Sequence, residues 1–179
     1  MTRNPAPLLN LPLNFPLAES AQTIQIFVDA DACPVKDEVY RVAERHGVMV
    51  HVVANSGFRV PQSPLVSRVL VSDGFDAADN WIAERATSSS IVITADIPLA
   101  GRCLVNGAEV LNHTGQAFTE NSIGMALAMR GLMQDLRAMG EIGGGNRPFA
   151  PKDRSRLLEA LERGITRLKR AGFATGAAA

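Results

Sequence analysis

Short apolar runs of β type alternate along this chain with segments of helical periodicity, and that alternation restricts it to an α/β architecture. The candidate strands are Ile24-Gln25-Ile26-Phe27-Val28, Val48-Met49-Val50-His51-Val52-Val53, Arg68-Val69-Leu70-Val71, Ile91-Val92-Ile93-Thr94 and Ala108-Glu109-Val110-Leu111. Several are apolar almost throughout, as strands buried on both faces must be. Helical segments separate them: Pro34–His46, closed by Gly47; a helix opening at Asp76-Ala77-Ala78-Asp79; and a short one after Asp96-Ile97-Pro98, running through Cys103 to Asn106. Pro34 suits the first helical position, where its missing N–H costs nothing. The pattern predicts an open, mostly parallel sheet covered by helices on both faces, a three-layer α/β domain. Two further helices, Thr119–Met139 and Lys152–Arg170, follow on either side of Gly143-Gly144-Gly145 and Arg147.

With 179 residues, 46% of them hydrophobic, the chain can build one full core. Residues 1–22 carry Pro5, Pro7, Pro12 and Pro16, and their only positive side chain is Arg3. This composition matches neither a secretory leader nor a membrane span and reads as an extended or disordered segment. The α/β domain is expected over 23–171, with 172–179 as a flexible tail. Cys33 and Cys103 are too far apart in sequence to match a zinc spacing. Reduced thiols in a cytoplasmic chain account for them most simply. Cys33 reads as a small packed residue, since neighbouring carboxylates oppose a thiolate there.

Asp29 and Asp31 end the first strand, and a chain seldom places two carboxylates there without a positive partner. Asp96 likewise follows a buried strand. Asp76 and Asp79 stand three apart at a helix start and can share one face. Ligands in open α/β sheets bind outside the carboxyl ends of the strands, where these acids can converge. Their mutual repulsion there is relieved by Mg²⁺ or Mn²⁺, for which carboxylates are hard oxygen ligands. The plainer alternative assigns Asp31 and Asp76 to helix caps and Asp79 to the helix dipole. Asn55, in the loop after the second strand, falls on the same edge as Asp29 if the strands are parallel.

Four motifs resemble a known family: Phe27-Val28-Asp29-Ala30-Asp31-Ala32-Cys33-Pro34-Val35-Lys36, Gly74-Phe75-Asp76-Ala77-Ala78-Asp79-Asn80-Trp81-Ile82, Ile93-Thr94-Ala95-Asp96-Ile97-Pro98-Leu99-Ala100 and Gly143-Gly144-Gly145-Asn146-Arg147-Pro148-Phe149. In this order they look like the YaiI/YqxD family of bacterial proteins, over roughly residues 24–170. That family in turn resembles PIN-like nucleases. The resemblance implies a PIN-like domain with strand order 3-2-1-4-5 and C-terminal helices packed on it. It implies Asp29, Asp31, Asp76, Asp79 and Asp96 as candidate ligands of Mg²⁺ or Mn²⁺; of these, Asp29, Asp31 and Asp96 are expected to be catalytic.

Charge is divided unevenly along a chain of zero net charge. From Gly131 onward nine Lys/Arg face five Asp/Glu, a net of +4, so the remainder carries −4. At 100° per residue, Lys152, Arg156, Arg163, Arg167 and Arg170 form a cationic stripe opposite Leu157, Leu158, Leu161, Ile165 and Leu168. Such a stripe can follow a nucleic-acid backbone, or it is an ordinary solvated face. Arg154 lies on the apolar side and is expected to point inward or towards the acids, a phosphate clamp together with Arg147. The low aromatic content, 5%, and the scattered Phe residues argue against a base-stacking platform, so contacts to RNA would be to phosphates.

The expected activity is metal-dependent cleavage of phosphodiesters in RNA, with Asn55, Thr94, Arg147 and Arg154 on the substrate. A haloacid-dehalogenase-like phosphatase is the rival, because Asp29-Ala30-Asp31 and Thr94 mimic its nucleophile, acid and phosphate-binding residues. That class also uses a later lysine, and none lies between Thr94 and Lys152. A non-catalytic RNA- or partner-binding module is the third class. No membrane partner is expected. The apolar helix 119–139, with Met125 and Met129 widening its stripe, is expected to be buried or to pair with a second copy.

Overall fold

Five parallel strands form one sheet in the computed structural model, which describes residues 22–30, 36–72, 74, 76–138 and 150–176, with the backbone alone over 130–138. The strands are β1 (Gln25–Asp29), β2 (Met49–Ala54), β3 (Val66–Leu70), β4 (Ser90–Ile93) and β5 (Glu109–Leu111), in the order β3-β2-β1-β4-β5. Class and order are those expected. β1, at the centre, sets Asp29 opposite Val53 of β2 and Val28 opposite Ile93 of β4. The helices are α1 (Lys36–His46), α2 (Ala77–Arg85), α3 (Ile97–Val105), α4 (Glu120–Ala138) and α5 (Pro151–Arg170).

Side chains alternate across a strand, so each strand feeds two cores. On one face Ile26, Val28, Val50, Val52, Ile91 and Ile93 meet Val39 and Val42 of α1 and Leu157, Leu161 and Ile165 of α5. On the other, Phe27, Val53, Val92 and Val110 meet Ile82 of α2 and Leu99, Ala100 and Cys103 of α3. Each fully buried Leu, Ile or Val contributes about 1.5–3 kcal/mol by leaving water. The sheet is thereby sandwiched between helices.

Several boundaries differ from the expected ones. β3 begins two residues early, at Val66, because its ladder with β2 starts there, with Val50 N–H donating to the Leu65 carbonyl at 2.8 Å. Local propensity carries no information on that register. α5 opens at Pro151 rather than Lys152, and Asp153 explains it. Its carboxylate accepts from Ala150 N–H at 2.9 Å while its own N–H returns to the Ala150 carbonyl at 2.9 Å.

The expected flexible tail is tied down at its start. Ile24 N–H donates to the Ala174 carbonyl at 2.7 Å, and Phe173 packs on the first core. α4 rests on α3, with Ile123 packed against the second core beside Gly101, and over residues 120–129 no side chain of it is fully buried. Met125, Leu127 and Met129 are exposed, Met125 by 74%. Among the described residues no helix is long and apolar enough to cross a membrane.

A candidate carboxylate site at the sheet's switch point

The chain runs from β1 outward through β2 and β3, then crosses to β4 and continues outward through β5 on the other side. The reversal falls between β1 and β4. Outside the carboxyl ends of two strands that diverge in this way, the connecting loops separate and leave a crevice for ligands. The residues at those two ends are Asp29 and the Thr94-Ala95-Asp96 step.

One hydroxyl links the two sides. Thr94 Oγ1–H donates to Asp29 Oδ2 at 2.8 Å, and the same Oγ1 accepts from Asp96 N–H at 3.0 Å. Both side chains of the first pair are buried: Thr94 is 1% exposed and Asp29 8%. Asp96 takes an extended conformation and caps α3, its Oδ1 accepting from Leu99 N–H at 2.7 Å, with Pro98 in the first turn. The cap aims the Asp96 carboxylate by local chemistry, independently of the sheet.

Asp79 enters from α2. Its carboxyl is raised from 3.8 to about 6, chiefly by burial and then by the charges of Asp96, Asp29 and Asp76, with Arg102 opposing. Asp79 therefore feels the charges of three other acids, carried by two further elements and by its own helix start. The capping alternative for Asp76 is not realised. Asp76 occupies the N-cap position of α2 in the left-handed region, φ 57°, with no hydrogen bond from its side chain to the helix. Aspartate tolerates that region better than most residues, at a cost of order 1 kcal/mol.

Asp79 binds its proton more tightly when folded than when unfolded, so its contribution to stability falls as pH rises from about 4 to about 6. Above that range Asp79→Asn should be the more stable protein, by roughly 1 kcal/mol once partial solvent screening is allowed for. Urea melts in EDTA across this range test it: curves that stay parallel for the two proteins refute the coupling.

Asp31 and Arg147 lie outside the described residues, as do Cys33 and Gly143-Gly144-Gly145. Asn55 is on the expected edge, one residue past β2, and its Oδ1 is a buried acceptor without a partner among the described residues. Arg154 is held by an acid outside the expected cluster. Its Nε–H donates to Glu38 on α1 at 2.8 Å, although the guanidinium side chain is 57% exposed. The reason is the docking of α5 on α1, which brings the first turns of the two helices together and gives the buried Glu38 a cation. Removing that partner strands a carboxylate in a dry place, so Arg154→Ala should cost about 2 kcal/mol of unfolding free energy. Arg163→Ala should stay within about 0.5 kcal/mol, because the Arg163–Glu159 contact is 3.6 Å long and open to solvent. Equal losses in denaturant titrations would refute the assignment.

The stripe on α5 is exposed as expected, but Arg167 is engaged by Glu109 of β5. Residues that sequence reasoning missed are Lys36, Glu38 and Arg102. Lys36 had one legible signal, a cation in the first turn of a helix, where the dipole disfavours it. Cys103 is inert packing, its thiol pushed up to about 11 by burial.

Hard oxygens that repel one another are the donor chemistry Mg²⁺ and Mn²⁺ take. Among the described residues no three His, Cys, Asp or Glu side chains are grouped closely enough to hold an ion by themselves. Mg²⁺ commonly needs only one or two carboxylates, completing its shell with water and phosphate oxygens. Asp29, with Asp96 or Asp79, fits that open kind of site.

Fold and edge define the class: a doubly covered parallel α/β domain with a carboxylate-lined switch point. The chain belongs to the family described as Uncharacterized BCR, YaiI/YqxD family, whose model matches residues 27–167. It is 62% identical over 148 residues to a UPF0178 protein of Nitrobacter winogradskyi, covering 83% of this chain and 94% of the relative. It is 59% identical over 154 residues to one of Rhodopseudomonas palustris strain HaA2, covering 86% and 93%. A third, from Azorhizobium caulinodans, is 54% identical over 154 residues, covering 86% and 97%. No solved structure matches the chain.

Proposed function

We propose that this protein is a metal-dependent phosphodiesterase that cleaves RNA, working in the manner of PIN-like nucleases. The observation that carries the reading is the Asp29–Thr94–Asp96 linkage across the switch point, 2.8 and 3.0 Å, where an α/β sheet offers its ligand crevice. When bound, Mg²⁺ or Mn²⁺ would supply charge neutralisation at the phosphoryl oxygens and a more acidic water. Asp29, Asp96 and Asp79 are the residues to hold it, with Asp31 and Asp76 as further candidates. Thr94 fixes the rotamer of Asp29 through its hydroxyl, and the cap on α3 fixes Asp96. A reacting group held by such supports loses little orientation between encounter and reaction.

The Asp29–Thr94 contact also suits a phosphatase, in which a carboxylate beside a hydroxyl attacks a phosphomonoester. The test is incubation of purified protein with end-labelled single-stranded RNA and Mn²⁺, beside a small phosphomonoester, for wild type and Asp29→Asn. Cleavage by wild type alone supports the reading. Cleavage surviving in Asp29→Asn marks a contaminant, and phosphomonoester hydrolysis without RNA cleavage transfers the site to the phosphatases.

A further inference from the structure

Lys36 stands in the first turn of α1, seven residues after Asp29, and the reading of the acids makes no use of it. Its Nζ donates to the carbonyl of Ala30, the residue that follows β1, at 3.0 Å. The same ammonium lies 5.8 Å from the centre of the Phe58 ring, in the loop that leaves β2. Both neighbours are neutral. Among the described residues no carboxylate forms an ion pair with it, although Asp29 is one residue from the carbonyl it holds. The helix dipole disfavours a cation at this end of α1, and part-burial adds a desolvation cost. Such a lysine keeps N–H groups for an anion that comes to the site.

We infer that Lys36 is a substrate-binding residue of the carboxylate site, its ammonium holding a phosphoryl oxygen. An ammonium has three donors, and the Ala30 carbonyl takes one of them. The ring of Phe58 covers one side, so the remaining N–H groups are directed by neighbours rather than left to rotate freely. The cation holds the carbonyl of the residue after Asp29 and is not itself a metal ligand, so it can contact the phosphate while the acids hold the ion. Its charge is a point charge on a stem, suited to a phosphate oxygen and indifferent to the base. The inference rests on the phosphodiesterase reading for its substrate and on Lys36 itself for its chemistry.

The test measures binding of fluorescein-labelled single-stranded RNA, and separately of inorganic phosphate, in EDTA over a series of salt concentrations. Wild type, Lys36→Met and Lys36→Arg are compared after thermal melts show all three folded. Lys36→Met should bind RNA about tenfold more weakly, and the slope of log affinity against log salt should fall by about one. Lys36→Arg should restore both, since it keeps the charge. A merely structural lysine would leave the salt slope unchanged, so equal slopes and affinities in wild type and Lys36→Met overturn the inference. Absence of both RNA and phosphate binding in wild type overturns it as well, while Mn²⁺ calorimetry on wild type and Asp29→Asn judges the metal site separately. Loss confined to inorganic phosphate upholds Lys36 as a phosphate residue and overturns the diesterase reading.

Discussion

Asp29→Asn should lower Mn²⁺-supported RNA cleavage by about 10³-fold, equivalent to roughly 4 kcal/mol of transition-state stabilisation, while the protein stays folded. The substitution keeps the shape of the side chain and an oxygen able to accept from Thr94, whose hydroxyl now bonds Asp29 Oδ2 at 2.8 Å. It removes one unit of negative charge from a buried position at the end of the central strand. Two measurements besides turnover follow from the same removal. Mn²⁺ affinity by calorimetry should drop, because a neutral amide oxygen is a poorer ligand for a hard cation. The Asp79 carboxyl should titrate lower than in wild type, because Asp29 is one of the charges that raise it towards about 6. A Mn²⁺ isotherm that does not change in Asp29→Asn would reduce Asp29 to a structural anchor for Thr94.

Gly115→Ala should destabilise the protein by about 3 kcal/mol or more, with no catalytic residue touched. Gly115 has φ +78°, where an L side chain is strained. A Cβ there would stand 2.5 Å from the backbone carbon and oxygen of Arg156 and from the nitrogen of Leu157. Those are backbone atoms inside a helix and cannot swing aside as a flexible side chain would. The loop that presses on α5 is itself stiff. Asn112 Oδ1 accepts from Thr114 N–H at 2.9 Å, from Thr114 Oγ1–H at 2.7 Å and from Gln116 N–H at 2.9 Å. Relief therefore requires α5 to lift, which opens the core built on Leu157, Leu161 and Ile165. Gly57→Ala is the control, since a Cβ at Gly57 meets nothing within 4 Å, and it should shift stability by less than about 0.5 kcal/mol. Similar denaturation midpoints for the two variants would show that the loop yields more easily than its hydrogen bonds indicate.

Features whose cause is local were legible in the chain itself. Buried strands are apolar on both faces, so Ile91-Val92-Ile93 reads as a strand without knowledge of its neighbours. Asp96 before Ile97-Pro98 announces a helix start, and its carboxylate caps α3. Asp29 at the end of one strand and Asp96 shortly after another fall at the ligand-binding edge once the strands are parallel. The order of the strands was different in kind: it came with the family resemblance, because alternation alone is compatible with several orders.

Tertiary structure alone decided which charges meet. Arg154 and Glu38 are 116 positions apart, and they pair because α5 docks on α1. Helical periodicity placed Arg154 on the inward side, but it could not choose between the acids and Glu38. The same holds for Arg167 with Glu109, for the Thr94 hydroxyl that ties Asp29 to Asp96, and for Lys36 between Ala30 and Phe58. Strand burial and helix caps are set by residues within a few positions of one another, so a one-dimensional pattern carries them. Ion pairs and buried hydrogen bonds between elements depend on docking angle and side-chain reach. Those are fixed only when the two faces of the sheet close against their helices.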